Sequence, residues 1–235
     1  MNRPPIIRLS AVVVVAVSAS LVTSAGAADA PTTDAVASAA AALAEHLDSH
    51  QSESSEATTA VEDADGAAAA IDEATAAHLH DEELAALSVL VAERVPDIDS
   101  EALLAAWTST SDQRRRVVLA ALSQTGDPYK FAAAGPDAFD CSGLSTYAWG
   151  TVGVELFHYS RRQIDDAAAI ERTQLQPGDL VWRPGHVMIY LGVDDLIVNA
   201  VQPGKPVTIK RWGKVQRFGN PIHDPLPTIE DTPEP

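Results

Sequence analysis

The stretch Gly135-Pro136-Asp137-Ala138-Phe139-Asp140-Cys141-Ser142-Gly143-Leu144 carries the only cysteine of a 235-residue chain, and His186, in Gly185-His186-Val187, follows that cysteine by 45 positions. The first stretch runs from a Gly-Pro loop into Ser142 to Gly150, which reads as a helix. The second opens an apolar, β-rich run, His186 to Leu191, directly after the small hinge residues Pro184 and Gly185. A thiol at a helix N-terminus with an imidazole nearby is the setting that lowers a cysteine pKa and makes a nucleophile. An imidazole in that role needs a group to orient it. Asn199 is the candidate, because Leu196-Ile197-Val198-Asn199-Ala200 surrounds its amide with apolar neighbours and a buried amide needs a partner. Taken one at a time these residues have blander readings: cysteine as a small buried hydrophobe, histidine as a satisfied core residue, Asp140 as the N-cap of the helix at Ser142.

Working outward, Pro177-Gly178-Asp179 reads as a turn into the strand Leu180-Val181-Trp182. Asp194-Asp195 reads as a hairpin turn between His186–Leu191 and Leu196–Val198, and Pro206 to Trp212 gives another strand. Residues 31–125 read as helical and alanine-rich. Val36, Leu43 and Leu47 mark one helix, Gln51 to Thr59 a break, and Val61, Ala68, Ile71 and Leu79 a second helix. Leu84, Leu87 and Val91 mark a third, ended by Pro96. Asp97, Asp99 and Ser100 are cap residues for a helix with Leu103, Leu104 and Trp107, and Arg114 to Leu122 opens another. Arg114-Arg115-Arg116 reads as a solvated helix face or as a partner for the acidic half. Short strands after a cluster of helices predict an α+β fold.

Arg3 and Arg8, the apolar run Leu9 to Val22 and Ala25-Gly26-Ala27 have the layout of a secretory signal peptide over residues 1–27. The expected organisation is then an acidic helical extension over 28–110, partly disordered, a catalytic domain over 111–224 and a disordered tail over 225–235. Residues 28–127 carry 20 acidic against 4 basic side chains, and residues 128–235 carry 13 against 10. An acidic half of that kind repels nucleic acid and anionic membrane surfaces. No stable membrane span is expected once the signal is removed. An exported chain with one cysteine has no internal disulfide, so the thiol is a reactive group or an intermolecular link. His46, His50, His78 and His80 lack a coherent third ligand, and no metal or other cofactor is expected.

Gly126-Asp127-Pro128-Tyr129, Gly135-Pro136, Phe139 to Leu144, Ser160 to Gln163, Leu175 to Leu180 and Gly185 to Gly192, in this order, resemble the NlpC family of cell-wall cysteine peptidases. The resemblance covers about residues 113–212. It implies a circularly permuted papain-like domain, in which a helical part presents the cysteine and a small antiparallel sheet presents the histidine. It also implies Cys141 as nucleophile, His186 as general base and Asn199 as third catalytic residue; a register shifted by one would place Val198 there. The third position of the family usually holds histidine, sometimes asparagine or glutamine, and Asn199 falls there with one extra residue in the hairpin turn. Tyr129, Asp140, Ser142 and Ser160 match positions beside the cysteine or lining the substrate pocket, and the Cys141 amide matches an oxyanion donor. After the tyrosine the family usually has an aromatic residue and two glycines, where this chain has Lys130-Phe131-Ala132-Ala133-Ala134.

The implied function is a secreted hydrolase of a bacterial cell envelope. It would cut an amide of peptidoglycan stem peptides, next to γ-D-glutamate, through a cysteine acyl-enzyme. The same Cys/His pair also suits an amidase or acyltransferase acting on another envelope amide or ester, and a non-catalytic envelope protein would predict an unreactive thiol. The helical extension is placed to serve as an intramolecular cover. Lys205, Lys210, Arg211 and Lys214, which follow Asn199, are candidates for attracting the carboxylates of a peptide stem.

Overall fold

The computed structural model describes residues 33–56 and 80–224. The expected signal segment 1–27, the helix expected over 61–79 and the tail 225–235 lie outside these residues. The chain forms α1 (Thr33–Glu56), α2 (running through 80–92), α3 (Ser100–Ser109), α4 (Asp112–Leu122), α5 (Cys141–Gly150) and α6 (Ser160–Asp166). Its strands are β1 (Ala168–Ile170), β2 (Leu180–Arg183), β3 (His186–Tyr190), β4 (Leu196–Asn199), β5 (Thr208–Arg211) and β6 (Arg217–Asn220). They make one six-stranded sheet in the order β1-β6-β2-β3-β4-β5, antiparallel throughout. The fold is α+β, as the sequence predicts. α1 continues through Gln51 to Glu56, where the polar composition reads as a break.

Side chains alternate across the sheet. Ile189, Leu191, Leu196, Val198, Val207 and Ile209 join the main core with the helices. Val181, Met188, Tyr190, Ile197 and Trp212 form a smaller apolar cluster on the other face. The caps follow the expected chemistry: Asp99 Oδ1 accepts from the amides of Glu101 and Ala102 at the start of α3, and Ser111 Oγ accepts from Arg114 N at the start of α4. α1 buries Val36, Ala40 and Leu43 in the same core, and its main partner is α4. Each such Leu or Val is worth about 1.5–3 kcal/mol against solvent, so this alanine-rich helix is held by docking.

The arginine triplet is not a solvated face. Arg114 is fully buried. It donates to Asp179 Oδ1 at 2.8 Å, to Pro177 O at 3.0 Å, to Asn220 Oδ1 at 3.0 Å and to both carboxylate oxygens of Asp224. Arg115 donates to the carbonyls that end α3, and Arg116 to Leu47 O of α1 at 2.6 Å. One turn of α4 thus ties down the sheet, α3 and α1. Buried carboxylates and the open carbonyls at the end of α3 both need donors, whereas Leu47 O lies within α1 and its bond fixes that helix against α4.

Candidate active site

Cys141 is the first residue of α5, half-buried, with a free thiol. Asp140 is the N-cap and the hub of this end. It is buried, and its Oδ1 accepts from Gly143 N at 2.7 Å and from Ser142 Oγ at 3.0 Å. His158 Nε2 lies 2.9 Å from the same oxygen, while Oδ2 accepts from Ala132 N at 2.8 Å. Burial pushes the Asp140 carboxyl up, but His158 and these donors outweigh it, and its pKa is held below the ordinary value. Gln163 of α6 locks the same turn: its amide donates to Ser142 O and Thr146 Oγ1 and accepts from Ser145 Oγ.

The loop expected to hold glycines is built with alanines and keeps a glycine-like geometry. Ala132 has a φ of 59°, in the left-handed region. The close approach is accommodated instead by Gly143, where an added Cβ would lie 2.0 Å from Ala133 O.

β3 packs against the start of α5, where Cys141 lies against Val187, the residue after His186. The backbone amides of Val187, of Ser142 and of Cys141 itself favour the thiolate. Cys141 also packs in a small cluster with Ile164, Leu180, Trp182 and Val187. Burial nevertheless dominates and pushes the thiol pKa up, with the Asp140 charge adding to it. His186 is 5 % exposed. Its pKa is pushed down to about 4, first by burial and then by the charges of Arg183 and Lys210. The expectation that the helix N-terminus and an imidazolium depress the thiol is therefore not met. At neutral pH the thiol and the imidazole are both uncharged: desolvation outweighs the backbone groups that favour the thiolate, and desolvation and the two cations act together against the imidazolium.

The register Ile189↔Val198 and Tyr190↔Ile197 sets Asn199 opposite Met188. His186 and Met188 share a face, so Asn199 is a diagonal neighbour of His186 on that face. Val198 points the other way, fully buried in the main core, which removes the shifted register. His186 Nε2 and both amide atoms of Asn199 are buried without a hydrogen-bond partner.

Tyr129 is half-buried against the main core, and its hydroxyl pKa is raised by burial and then by the nearby charges of Cys141 and Asp140. It therefore lies beside both. Ser142 is buried and bonded to Asp140; Ser160 is buried in the first turn of α6. His158, two residues before Ser160, was missed by sequence reasoning. The available signal was Asp140 itself, since a carboxylate buried at a helix start calls for further hydrogen-bond donors. Among the described residues no group of three or more His, Cys, Asp or Glu is placed to hold a metal. α1 lines a cavity with Tyr147 and Thr151, at the far end of α5 from Cys141.

The site sets a helix-borne cysteine against a sheet one of whose strands begins with histidine, the helix preceding the sheet in the chain, within an α+β domain. Residues 126–214 match the NlpC/P60 family. This segment of the chain is a domain of that family. A probable endopeptidase of Mycobacterium bovis is 38% identical over 99 residues, 41% of this chain and 26% of that protein. Peptidoglycan endopeptidase RipA of Mycolicibacterium smegmatis is 36% identical over 93 residues, 32% of this chain and 19% of that protein. The chain thus spans about a quarter of the first relative's length and about a fifth of the second's. Among solved structures, the P60 domain of an antigen from M. avium subspecies paratuberculosis superposes with a TM-score of 0.44 at 28% identity, covering 48% of this chain and 96% of that one.

Proposed function

We propose that the chain is a secreted cysteine peptidase of a bacterial cell envelope that cuts an amide of peptidoglycan stem peptides, next to γ-D-glutamate. The observation that carries this reading is the packing of Cys141, first residue of α5, against Val187, the neighbour of His186 in β3. The relatives named endopeptidases support the class of reaction. In the proposed mechanism the neutral imidazole of His186 takes the thiol proton as sulfur attacks the carbonyl carbon. Collapse of the tetrahedral species breaks the C–N bond, and the amine leaves with the proton held by His186. The resulting thioester is attacked by water, which gives a proton to His186; the acid is released and Cys141 recovers its thiol. Asn199 holds the imidazole plane from the same sheet face. Tyr129, Asp140, Ser142 and Ser160 form the acyl side of the cleft.

The test is digestion of purified peptidoglycan by the chain and by Cys141→Ala, with mass analysis of the soluble products. Stem fragments cut after γ-D-glutamate should appear with the first protein and not the second. Cleavage of another amide by the same thiol would move the reading to an amidase. Equal release by both proteins would remove Cys141 from the mechanism.

A further inference from the structure

A cavity of about 540 Å³ opens on the sheet face turned away from the helices. Met188 and Trp212 give it apolar walls; Arg183, Lys210, Lys214 and His186 are among the residues that line it, largely through apolar atoms, and no Asp or Glu lines it. On a chain of net charge −17 this is a local inversion of sign. Nearby Arg161, Arg172, Arg211 and Arg217 each meet an aspartate. Among the described residues Arg183, Lys210 and Lys214 have no such counter-charge. The cations also feel one another. Lys210 is lowered by burial and then by Arg183, and both depress His186. Like charges gathered beside apolar walls without a carboxylate form a site that an anion would relieve.

The position of the cavity says which part of a substrate would enter it. His186 is one of its walls and Cys141 is not. In acyl transfer the acyl part stays on sulfur, while the departing amine takes its proton from the histidine. The departing fragment therefore lies on the histidine side, against this cavity.

We propose that the cavity is the leaving-group subsite and that Arg183 and Lys210, with Lys214 at the rim, bind a free carboxylate on the amino acid or short peptide released by cleavage. The proposal rests on the hydrolase reading above and adds a substrate requirement to it: the amine component is anionic apart from its new amino group. Methylene stems of the same fragment would lie on Met188 and Trp212.

The test uses binding, so that it does not depend on turnover. The full chain carrying Cys141→Ala is titrated calorimetrically with L-alanyl-γ-D-glutamyl-L-lysine and with its C-terminal carboxamide. The acid should bind about tenfold more tightly. That preference should fall to within about twofold when Arg183→Gln and Lys210→Gln are added, and should survive Lys210→Arg, which shows that the fold and the charge are what matter. Equal binding of acid and amide, no detectable binding of the acid at millimolar concentration, or a preference that persists in the double variant would each overturn the subsite. Failure of the unsubstituted chain to cleave either peptide would instead count against the hydrolase reading, and leaves the binding comparison as a separate result.

Discussion

The two walls of the proposed cleft are wired in opposite ways. On the cysteine wall, Asp140, Ser142, Ser145 and Gln163 are all bonded to one another or to backbone, and Asp140 alone joins α5, the Ala132 loop and His158. On the histidine wall, His186 Nε2 and both amide atoms of Asn199 are buried without partners, and Arg183 and Lys210 crowd the same face. A fully bonded helix start fixes where sulfur sits. A wall of unsatisfied donors and acceptors costs stability and is retained where it acts on something else. The comparison teaches that the thiol side is a finished scaffold, while the polar atoms of the sheet side are left free for the substrate of the proposed reaction.

The contrast is broken most severely at Asp140. Asp140→Ala removes a cap, orphans Ala132 N and Gly143 N, and leaves His158 without its anion. A loss of about 3 kcal/mol in urea unfolding is expected, with Asp140→Asn losing about half.

A comparable effect on the other wall comes from pH. His186 titrates near 6.5 when unfolded and at about 4 when folded. Above 6.5 both states are neutral; as pH falls toward 4 the unfolded chain binds the proton first, and stability falls by about 3 kcal/mol. Asp179, pushed up to about 6 by burial against the pull of Arg114, works in the opposite direction over much of this window. The quantity to measure is therefore the stability difference between the chain and His186→Gln, which should swing toward the variant between pH 6.5 and 4. A constant difference would mean that the imidazole is not held neutral.

Asn199 separates the walls by function. Asn199→Leu replaces two unpaired polar atoms by methyl groups, so stability should hold or rise by about 1 kcal/mol. If it orients His186, kcat on a stem peptide should fall about a hundredfold with KM little changed, and Asn199→His should recover most of the loss. A purely structural amide would lower stability and leave kcat alone. The smallest effect belongs to the loop between the walls: Ala132→Gly relieves a φ of 59° and should stabilise by about 0.5–1 kcal/mol.

Much of the cysteine wall was legible in the sequence, because a helix start is a local event. Asp140 before Ser142 and Gly143 announces a cap, and the Gly-Pro loop before it announces a break. His186 and Asn199 were legible through the apolar runs around them, and Asp194-Asp195 fixed the hairpin that sets them on one face. What stayed hidden was non-local. β1 is Ala168–Ile170 and β6 is Arg217–Asn220; neither alternates clearly, and they become strands only by pairing with each other and with β2. Gly219 shows the reason, since a Cβ there would meet Ala167 and Ile164 at 2.8 Å. Arg114 looked like a surface charge because its partners Asp179 and Asp224 lie 65 and 110 residues away. The depth of Cys141 was also unreadable, and with it the sign of its pKa shift.

The central claim is that the neutral thiol of the finished wall becomes a thioester only when the other wall supplies His186. Rapid acid quenching of the full chain mixed with a stem peptide, followed by intact and peptide mass analysis, tests it directly. The account predicts an adduct equal in mass to the acyl fragment, located on Cys141 and absent in both Cys141→Ala and His186→Ala. Cleavage of the peptide at an undiminished rate in Cys141→Ala, or an adduct on any other residue, would contradict it.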